Sequence, residues 1–256
     1  MNGATLELQR VAKHFQGVIA VDSVSLVARK GQVTGLIGPN GSGKTTTMNI
    51  ITGLYPADGG VVLLDGVDVS KFQPYRIANF GVARTFQNIR LLPDGSVLEN
   101  VLLGAHRHQS ANLLDMLLRL PRLAQSESEA RGVCEQLLST VGISHLRDVV
   151  VGGLSYGDRR LVEIARALAT RPRLLLLDEP AAGMNFAEKV GLATLITDIR
   201  DMGITVMLIE HDIEFVSRVA DHIVVLNFGR EIAEGTPAMV RQMPSVIEAY
   251  LGLEDA

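Results

Sequence analysis

The first part of the chain alternates hydrophobic residues with polar ones. This alternation occurs at residues 6–8 and again at 24–26, and the apolar run 61–64 leads directly into an Asp65-Gly66 turn. A period of two is typical of strands that bury one face and expose the other. These segments therefore predict a small antiparallel sheet.

Other short runs are predominantly apolar and do not alternate with polar residues. Residues 174–177 and 204–209 have this character, and residues 32–37 form a third run that ends in a glycine-rich turn. Continuous apolar strands are typical of a parallel sheet that is covered on both faces. Together with a helix predicted over 44–52 and a closing hairpin over 222–232, they indicate a doubly wound α/β core.

The pattern changes between residues 88 and 158, where strand signals are absent. Apolar residues recur at helical spacing in 97–103, 113–120 and 133–138, which predicts a helical subdomain. The conspicuously apolar run 113–120 is expected to form part of the core of this subdomain. A docking surface for a membrane partner is the alternative interpretation.

A length of 256 residues suits one large domain or a core with an inserted subdomain. We predict a single domain over 1–256, in which 1–87 and 159–256 form the α/β core with its antiparallel sheet. Residues 88–158 form the inserted helical subdomain. The sole cysteine, Cys134, cannot form an internal disulfide and is predicted to be a packing residue in a reducing compartment.

Composition and charge exclude several classes of protein. The chain is 47% hydrophobic and 20% charged, with a formal net charge of -4, and no Lys/Arg-rich tract indicates nucleic acid as a partner. No basic leader opens the sequence, and no window approaches the roughly 20 apolar residues that a spanning helix needs. We therefore expect a protein that is neither secreted nor integral to the membrane by itself.

A glycine-rich segment follows the first continuous apolar run and matches the phosphate-loop pattern G-x-x-x-x-G-K-[ST]. Its glycines let backbone N–H groups point inward, while Lys44 reaches the β and γ phosphates and the Thr45 hydroxyl ligates Mg²⁺. A glycine-rich turn without a ligand is the alternative. The predicted nucleotide-binding residues of this loop are Gly38, Pro39, Asn40, Gly41, Ser42, Gly43, Lys44, Thr45 and Thr46.

Two carboxylates, Asp178 and Glu179, follow the apolar run 174–177. In α/β sheets this carboxyl end of a strand is where ligands bind. We expect Asp178 to hold Mg²⁺ and Glu179 to polarise the attacking water as general base. A pair of desolvated acids would be costly without a cation to offset it, so the phosphate loop strengthens this prediction.

A third segment, Leu154-Ser155-Tyr156-Gly157-Asp158, precedes an amphipathic helix. The Ser155 hydroxyl, the Gly157 N–H and a helix N-terminus can together bind an anion. On this segment alone, an ordinary N-capping turn is the favoured interpretation.

In combination, these three segments resemble the ATP-binding cassette (ABC) ATPases. The resemblance implies a P-loop NTPase core with a mixed, largely parallel sheet, a flanking antiparallel β subdomain and an inserted helical subdomain. It also implies that Ser155 and Gly157 belong to a signature turn that covers the γ phosphate bound by an opposing subunit. Here Tyr156 replaces the first signature glycine and Asp158 the glutamine.

The same resemblance assigns further residues in family order. Gln87 is similar to the glutamine that senses Mg²⁺ and water, His211 to the histidine that bonds the γ phosphate, and Phe15 to the aromatic that stacks on adenine. A surface glutamine, a structural histidine and a core phenylalanine are the respective alternatives. Asn185 stands where many relatives carry Asp in the loop that communicates across the dimer.

Narrower similarity points to the ATPase subunits of branched-chain amino-acid importers. It rests on residues 84–91, 154–158, 179–183 and 249–252, and relatives that move urea or short amides look similar. The resemblance implies ATP and Mg²⁺, a second ATPase subunit (identical or paralogous), two integral-membrane permease subunits and, indirectly, a solute-binding protein. It places the chain on the cytoplasmic face of the membrane.

Two rival functions stay open at this point. One is a soluble ABC protein that serves translation, DNA repair or cluster assembly, although no long heptad insertion or basic tract supports it. The other is a P-loop kinase that acts on a small molecule, which would leave the signature segment and His211 unexplained.

Overall fold

A computed structural model describes residue 3 and residues 5–106 and 121–251. The apolar run 113–120 lies outside these described residues. The chain folds into two compact units. Unit 1 comprises Met1–Arg84 and Arg173–Ala256, and unit 2 comprises Thr85–Pro172.

Unit 1 carries two sheets and six of the described α-helices. Its strands are β1 (Leu6–Phe15), β2 (Val18–Ala28), β3 (Val33–Ile37), β4 (Gly59–Leu64), β5 (Val67–Asp68), β6 (Val82–Arg84), β7 (Leu174–Asp178), β8 (Thr205–Glu210), β9 (His222–Asn227) and β10 (Arg230–Gly235). The described α-helices of both units, in chain order, are α1 (Lys44–Ile51), α2 (Pro74–Asn79), α3 (Val97–Ala105), α4 (Pro121–Thr140), α5 (Tyr156–Ala169), α6 (Phe186–Asp201), α7 (Ile213–Val219), α8 (Pro237–Val240) and α9 (Pro244–Leu251). Of these, α3, α4 and α5 belong to unit 2.

The smaller sheet is antiparallel with strand order β2-β1-β4-β5, which confirms the sheet predicted from alternation. Leu6 pairs with Ala28 on one side and with Leu64 on the other. All three side chains are buried, because residues directly opposite each other on paired strands point to the same face of the sheet.

The larger sheet has strand order β10-β9-β3-β8-β7-β6. Every pairing from β9 to β6 is parallel, and only the hairpin partner β10 runs antiparallel. Each residue of β3, β7 and β8 is buried, as the continuous apolar runs predicted. Parallel strands end at one edge of a sheet, so Ile37, Asp178 and Glu210 finish at that same edge.

Unit 2 is built from helices that pack through their apolar faces. Val101 of α3, Cys134 of α4 and Ile164 of α5 are fully buried, and Cys134 therefore has the packing role predicted for it. A Cβ atom added to Gly104 of α3 would lie 2.1 Å from the backbone oxygen of Arg166 in α5. These two helices therefore approach as closely as a glycine permits.

The two units differ in their boundaries from the predicted subdomains. The prediction placed the insertion at 88–158, whereas unit 2 extends from Thr85 to Pro172 and includes α5. The physical reason is the close packing of α5 on α3, which the period of the sequence does not reveal. Within 5–106 and 121–251, no helix is long and apolar enough to cross a membrane.

Candidate functional site

The turn after β3 has the backbone shape of an anion-binding loop. Gly38, Gly41 and Gly43 have φ angles of 150°, 77° and 102°, values that side-chain-bearing residues rarely adopt. A Cβ atom on Gly38 would lie 2.1 Å from the Leu226 oxygen, and one on Gly43 would lie 2.5 Å from the Ala20 oxygen. Glycine is therefore required at these two positions on steric grounds as well.

Helix α1 begins directly behind this loop and lacks a side-chain cap. Its N-cap residue is Gly43, which has no side chain to accept a bond from the first-turn N–H groups. By contrast, side chains of Ser96, Ser155, Asn185 and Asp212 cap four other helices. The N–H groups and positive end of α1 are therefore available to an anion.

Lys44 lies beneath the loop and holds its shape. Its ammonium donates to the Gly38 oxygen at 2.7 Å and to the Pro39 oxygen at 2.8 Å. Burial lowers the pKa of Lys44, and the charges of Glu179 and Asp178, among others, act in the opposite direction. The structure thus gathers a cation and acidic groups at the edge where β3, β7 and β8 end.

Asp178 forms an ion pair with Arg84 that is almost inaccessible to water. The Arg84 Nη2 to Asp178 Oδ2 distance is 2.7 Å, and the side chains are 6% and 3% exposed. Arg84 Nη1 also donates to Asn49 Oδ1 at 2.7 Å and to Thr52 Oγ1 at 3.1 Å. The sequence patterns predict no role for Arg84, because no local signal identifies its partner.

Glu179 and His211 both follow buried strands of the larger sheet. Glu179 has a φ of 45° and donates its N–H to the Ile209 oxygen at 2.9 Å, so the turn after β7 is tied to β8. The His211 side chain is 56% exposed. Directly before it lies the buried carboxylate of Glu210, which was not predicted, although an acid at the end of an apolar strand was the available signal.

Aromatic groups of unit 1 lie beside the phosphate loop and at the end of β1. Phe15 is 38% exposed rather than a core residue, and its ring packs edge-on against Tyr55 with centroids 5.3 Å apart. Lys13 Nζ lies 5.4 Å from the Phe15 ring centre.

Burial raises the pKa of Tyr250, on the last helix, to about 12, and the backbone of Gly38 partly offsets this effect.

The remaining predicted residues belong to unit 2. Ser155 caps α5 by accepting the Asp158 N–H at 3.1 Å, and its hydroxyl donates to the Asp158 carboxylate at 2.7 Å. The predicted capping turn is thus present, and Asp158 helps to form it. Gly157 lies in the first turn of α5.

Tyr156 supports the loop that carries Gln87. Arg160 is fully buried and donates to the Tyr156 hydroxyl at 2.9 Å, to the backbone oxygen of Gln87 at 3.1 Å and to the backbone oxygen of Phe86 at 2.7 Å. It also forms a 2.7 Å ion pair with Glu163. The tyrosine that departs from the family signature therefore has a structural role in unit 2.

Family models match most of the chain. One described as ABC transporter matches residues 21–182. The chain belongs to the ABC transporter family. A second family model, described as branched-chain amino acid ATP-binding cassette transporter, matches residues 230–256. The predicted resemblance to the ABC ATPases is therefore confirmed.

Curated relatives of this ABC ATPase are similar along its whole length. The high-affinity branched-chain amino acid transport ATP-binding protein BraF of Pseudomonas aeruginosa is 44% identical, over 98% of this chain and 99% of that protein. The corresponding protein LivG of Escherichia coli is 39% identical over the same shares of the two chains. Both belong to the subgroup that the sequence predicted.

Solved structures confirm the predicted fold class. A crystal structure of the ADP conformation of an ATP-binding cassette of an ABC transporter has a TM-score of 0.85 and 35% identity, over 97% of this chain and 99% of that chain. A dimeric bacterial ABC transporter cassette has a TM-score of 0.78 and 25% identity, over 91% and 98%.

Proposed function

We propose that this ABC ATPase powers an importer of branched-chain amino acids. The observation that carries the proposal is similarity over nearly the full chain to BraF and LivG, whose names specify high-affinity branched-chain amino acid transport. The match of residues 230–256 to a family model of the same description supports it independently. A urea or short-amide importer is the alternative, and reconstituted transport separates the two.

In the proposed reaction, water attacks the γ phosphorus of ATP in line with the bond to the leaving ADP oxygen. A P–O bond to water forms as the bond to ADP breaks, and the water proton moves to the Glu179 carboxylate as general base. Lys44 and the N–H groups of α1 stabilise the charge that develops on the phosphate. His211 donates a hydrogen bond to the γ phosphate, and Phe15 stacks on the adenine.

The donor set of this chain fits Mg²⁺. The Thr45 hydroxyl, the Asp178 carboxylate and, on unit 2, the Gln87 amide would supply the hard oxygen atoms that Mg²⁺ prefers. When bound with ATP, the cation neutralises phosphate charge. Thr45 lies in the first turn of α1, which follows β3, and Asp178 is the last residue of β7, so both lie at the edge where these parallel strands end.

We further propose that two such subunits bind two ATP molecules head to tail. Ser155 and Gly157 of one subunit would face the γ phosphate held by Lys44 of the other, so that neither subunit alone has a complete site. The similarity to a dimeric cassette supports this arrangement. Closing on ATP and reopening after hydrolysis would move two permease subunits, to which the ATPase binds on the cytoplasmic face. A solute-binding protein would deliver the amino acid to those permeases.

The proposal is tested by co-expressing the chain with candidate permease subunits and a candidate binding protein and reconstituting the complex into liposomes. We expect ATP hydrolysis to rise with leucine-loaded binding protein and radiolabelled leucine to accumulate. The same complex carrying Lys44→Ala is the control and should do neither. Stimulation by urea or acetamide but not by leucine would favour the alternative importer, and a chain that fails to purify with the permeases would contradict both.

A further inference from the structure

The buried carboxylate of Glu210 connects two parts of the proposed site. Its side chain is 1% exposed and accepts the Ala181 N–H at 2.8 Å. The other carboxylate oxygen accepts the His211 N–H at 3.3 Å and lies 3.7 Å from His211 Nδ1. One acidic group therefore contacts both the turn that follows Glu179 and the residue His211.

We propose that Glu210 is a positioning residue that sets Glu179 and His211 in their working orientations at the same time. This inference rests on the proposed function, because it assumes that Glu179 is the general base and that His211 contacts the γ phosphate.

The turn after β7 is held in shape by the end of β8. Glu179 has a left-handed backbone, with a φ of 45°, which a non-glycine residue keeps only when its surroundings hold it there. Two hydrogen bonds supply that restraint. The Ile209 oxygen accepts the Glu179 N–H at 2.9 Å, and Glu210 accepts the N–H of Ala181, a residue that is only 2% exposed.

The imidazole of His211 lies against the same carboxylate. His211 Nδ1 lies 3.7 Å from the carboxylate, so this edge of the ring faces Glu210 and the opposite, Nε2 edge is left to donate a hydrogen bond to a phosphate. The His211 ring is 56% exposed whereas Glu210 is buried. The fixed member of this pair is therefore the carboxylate, and the member that can reach a phosphate is the histidine.

A buried acid is costly at a position where packing alone is needed. Burial raises the pKa of Glu210, while the Ala181 N–H and the His211 charge act in the opposite direction. An apolar side chain would fill the same space without that cost. A carboxylate at this position, beside Glu179 and Lys44, points to a role in the reaction rather than in stability.

The contacts of Glu210 predict a loss of turnover without a loss of ATP affinity. The bonds described for Glu210 go to Ala181 and His211, whereas ATP phosphates would be held by residues 38–46. Removing the carboxylate should therefore misplace the catalytic groups and leave the phosphate loop intact. Small misplacements of catalytic groups reduce rates strongly, by up to about 100-fold.

The test compares Glu210→Leu, Glu210→Gln, His211→Ala and the double variant Glu210→Leu/His211→Ala in the full-length chain, by steady-state ATP hydrolysis and ATP binding. We expect Glu210→Leu to lower kcat by at least ~10-fold with KM for ATP within about threefold. Glu210→Gln keeps an oxygen for the Ala181 N–H and should recover most of that loss. Because the two residues act together, the kcat of the double variant should fall no more than about threefold below that of the more impaired single variant.

The matched control is Glu231→Gln. Glu231 lies on β10 of the same sheet, and burial raises the pKa of its carboxyl group as well. The kcat of this variant should equal the wild-type value. A Glu210→Leu variant with wild-type kcat would overturn the inference. So would a double variant whose fold-loss in kcat equals the product of the fold-losses in the two single variants. Equal losses of kcat in Glu210→Gln and Glu210→Leu would overturn it too. A wild-type chain that does not hydrolyse ATP would instead refute the proposed function, and this inference with it.

Discussion

Arg84 shows how a single residue can stabilise the site without taking part in its chemistry. Its guanidinium divides its donors between Asp178 on one side and Asn49 and Thr52 on the other. An arginine can serve both sides because its donors form a rigid planar fork, which a lysine ammonium lacks. Asp178 thus has a fixed position before any cation reaches it.

We predict that Arg84→Ala lowers the free energy of unfolding by about 3–5 kcal/mol, because it breaks a buried ion pair by removing one of its partners. Urea denaturation followed by circular dichroism measures this change. The control is Arg230→Ala, which breaks an ion pair with Asp22 in which the arginine is 71% exposed. The free energy of unfolding of that variant should change far less. Equal losses of unfolding free energy in the two variants would contradict the stabilising role of Arg84.

At Glu179 we predict a separation of binding from turnover. Glu179→Gln keeps the shape of the side chain but cannot accept the water proton, so ATP binding should persist while hydrolysis falls by at least ~100-fold. Hydrolysis assays and equilibrium ATP binding measure the two quantities. Glu248→Gln, on an exposed position of α9, is the control with normal turnover. Near-normal hydrolysis by Glu179→Gln would remove Glu179 from the proposed role.

Sequence patterns find residues whose signals are local. Lys44 follows a glycine pattern, and Asp178 and Glu179 end an apolar run, so each was predicted from its neighbours in the chain. Arg84 and Glu210 were not, because Asp178 lies 94 residues from Arg84 and Ala181 lies 29 residues from Glu210. Folding alone brings Arg84 to Asp178 and Glu210 to Ala181, although the position of Glu210 at the end of an apolar strand was a local signal that it lies near the site.

At the scale of elements, the sequence predicts which segments form strands and helices better than where they pack. The continuous runs at β7 and β8 and the alternation at β1 were predicted correctly because burial dictates each pattern. Helix α5 was assigned to the core, and its amphipathic period was correct. That period reveals an apolar face but not its partner, which is α3.

The close approach of α3 and α5 yields a prediction about glycine. Alanine is normally favoured over glycine in a helix by about 1 kcal/mol. Gly104→Ala should nevertheless destabilise the chain, because the new Cβ would meet the Arg166 oxygen at 2.1 Å. Gly132→Ala, in α4 of the same unit, meets nothing within 4 Å and should be neutral or stabilising. Thermal unfolding measures the Tm of both variants. A rise in Tm for Gly104→Ala would contradict the packing of α3 on α5.

At the scale of the whole molecule, a shared site predicts complementation between two inactive subunits. A Ser155→Arg chain would block the site of its partner, and a Lys44→Ala chain would lack the lysine that binds phosphate in its own site. Each homodimer should therefore be inactive. A mixed dimer would regain one intact site, which for random pairing gives about a quarter of wild-type turnover at equal mixing. Titrating one variant into the other measures this recovery.

Strictly additive turnover in those mixtures, with no recovered activity, would contradict a site shared between two copies of this chain. Mixing wild-type chain with Lys44→Ala serves as the reference curve, because it reports dilution of active subunits. Because that reference falls in proportion to dilution whether or not subunits exchange, exchange in the mixtures is checked separately, by energy transfer between chains that carry donor and acceptor dyes.

The burial of Cys134 makes the natural chain suitable for labelling experiments. It is the sole cysteine of the sequence, its side chain is fully enclosed, and burial raises the pKa of its thiol, so little reactive thiolate is present. A cysteine introduced on the surface would be labelled by maleimide dyes in preference to Cys134. Distances between dyes on paired subunits could then be followed by fluorescence energy transfer through a turnover cycle. Cys134 would not first have to be replaced.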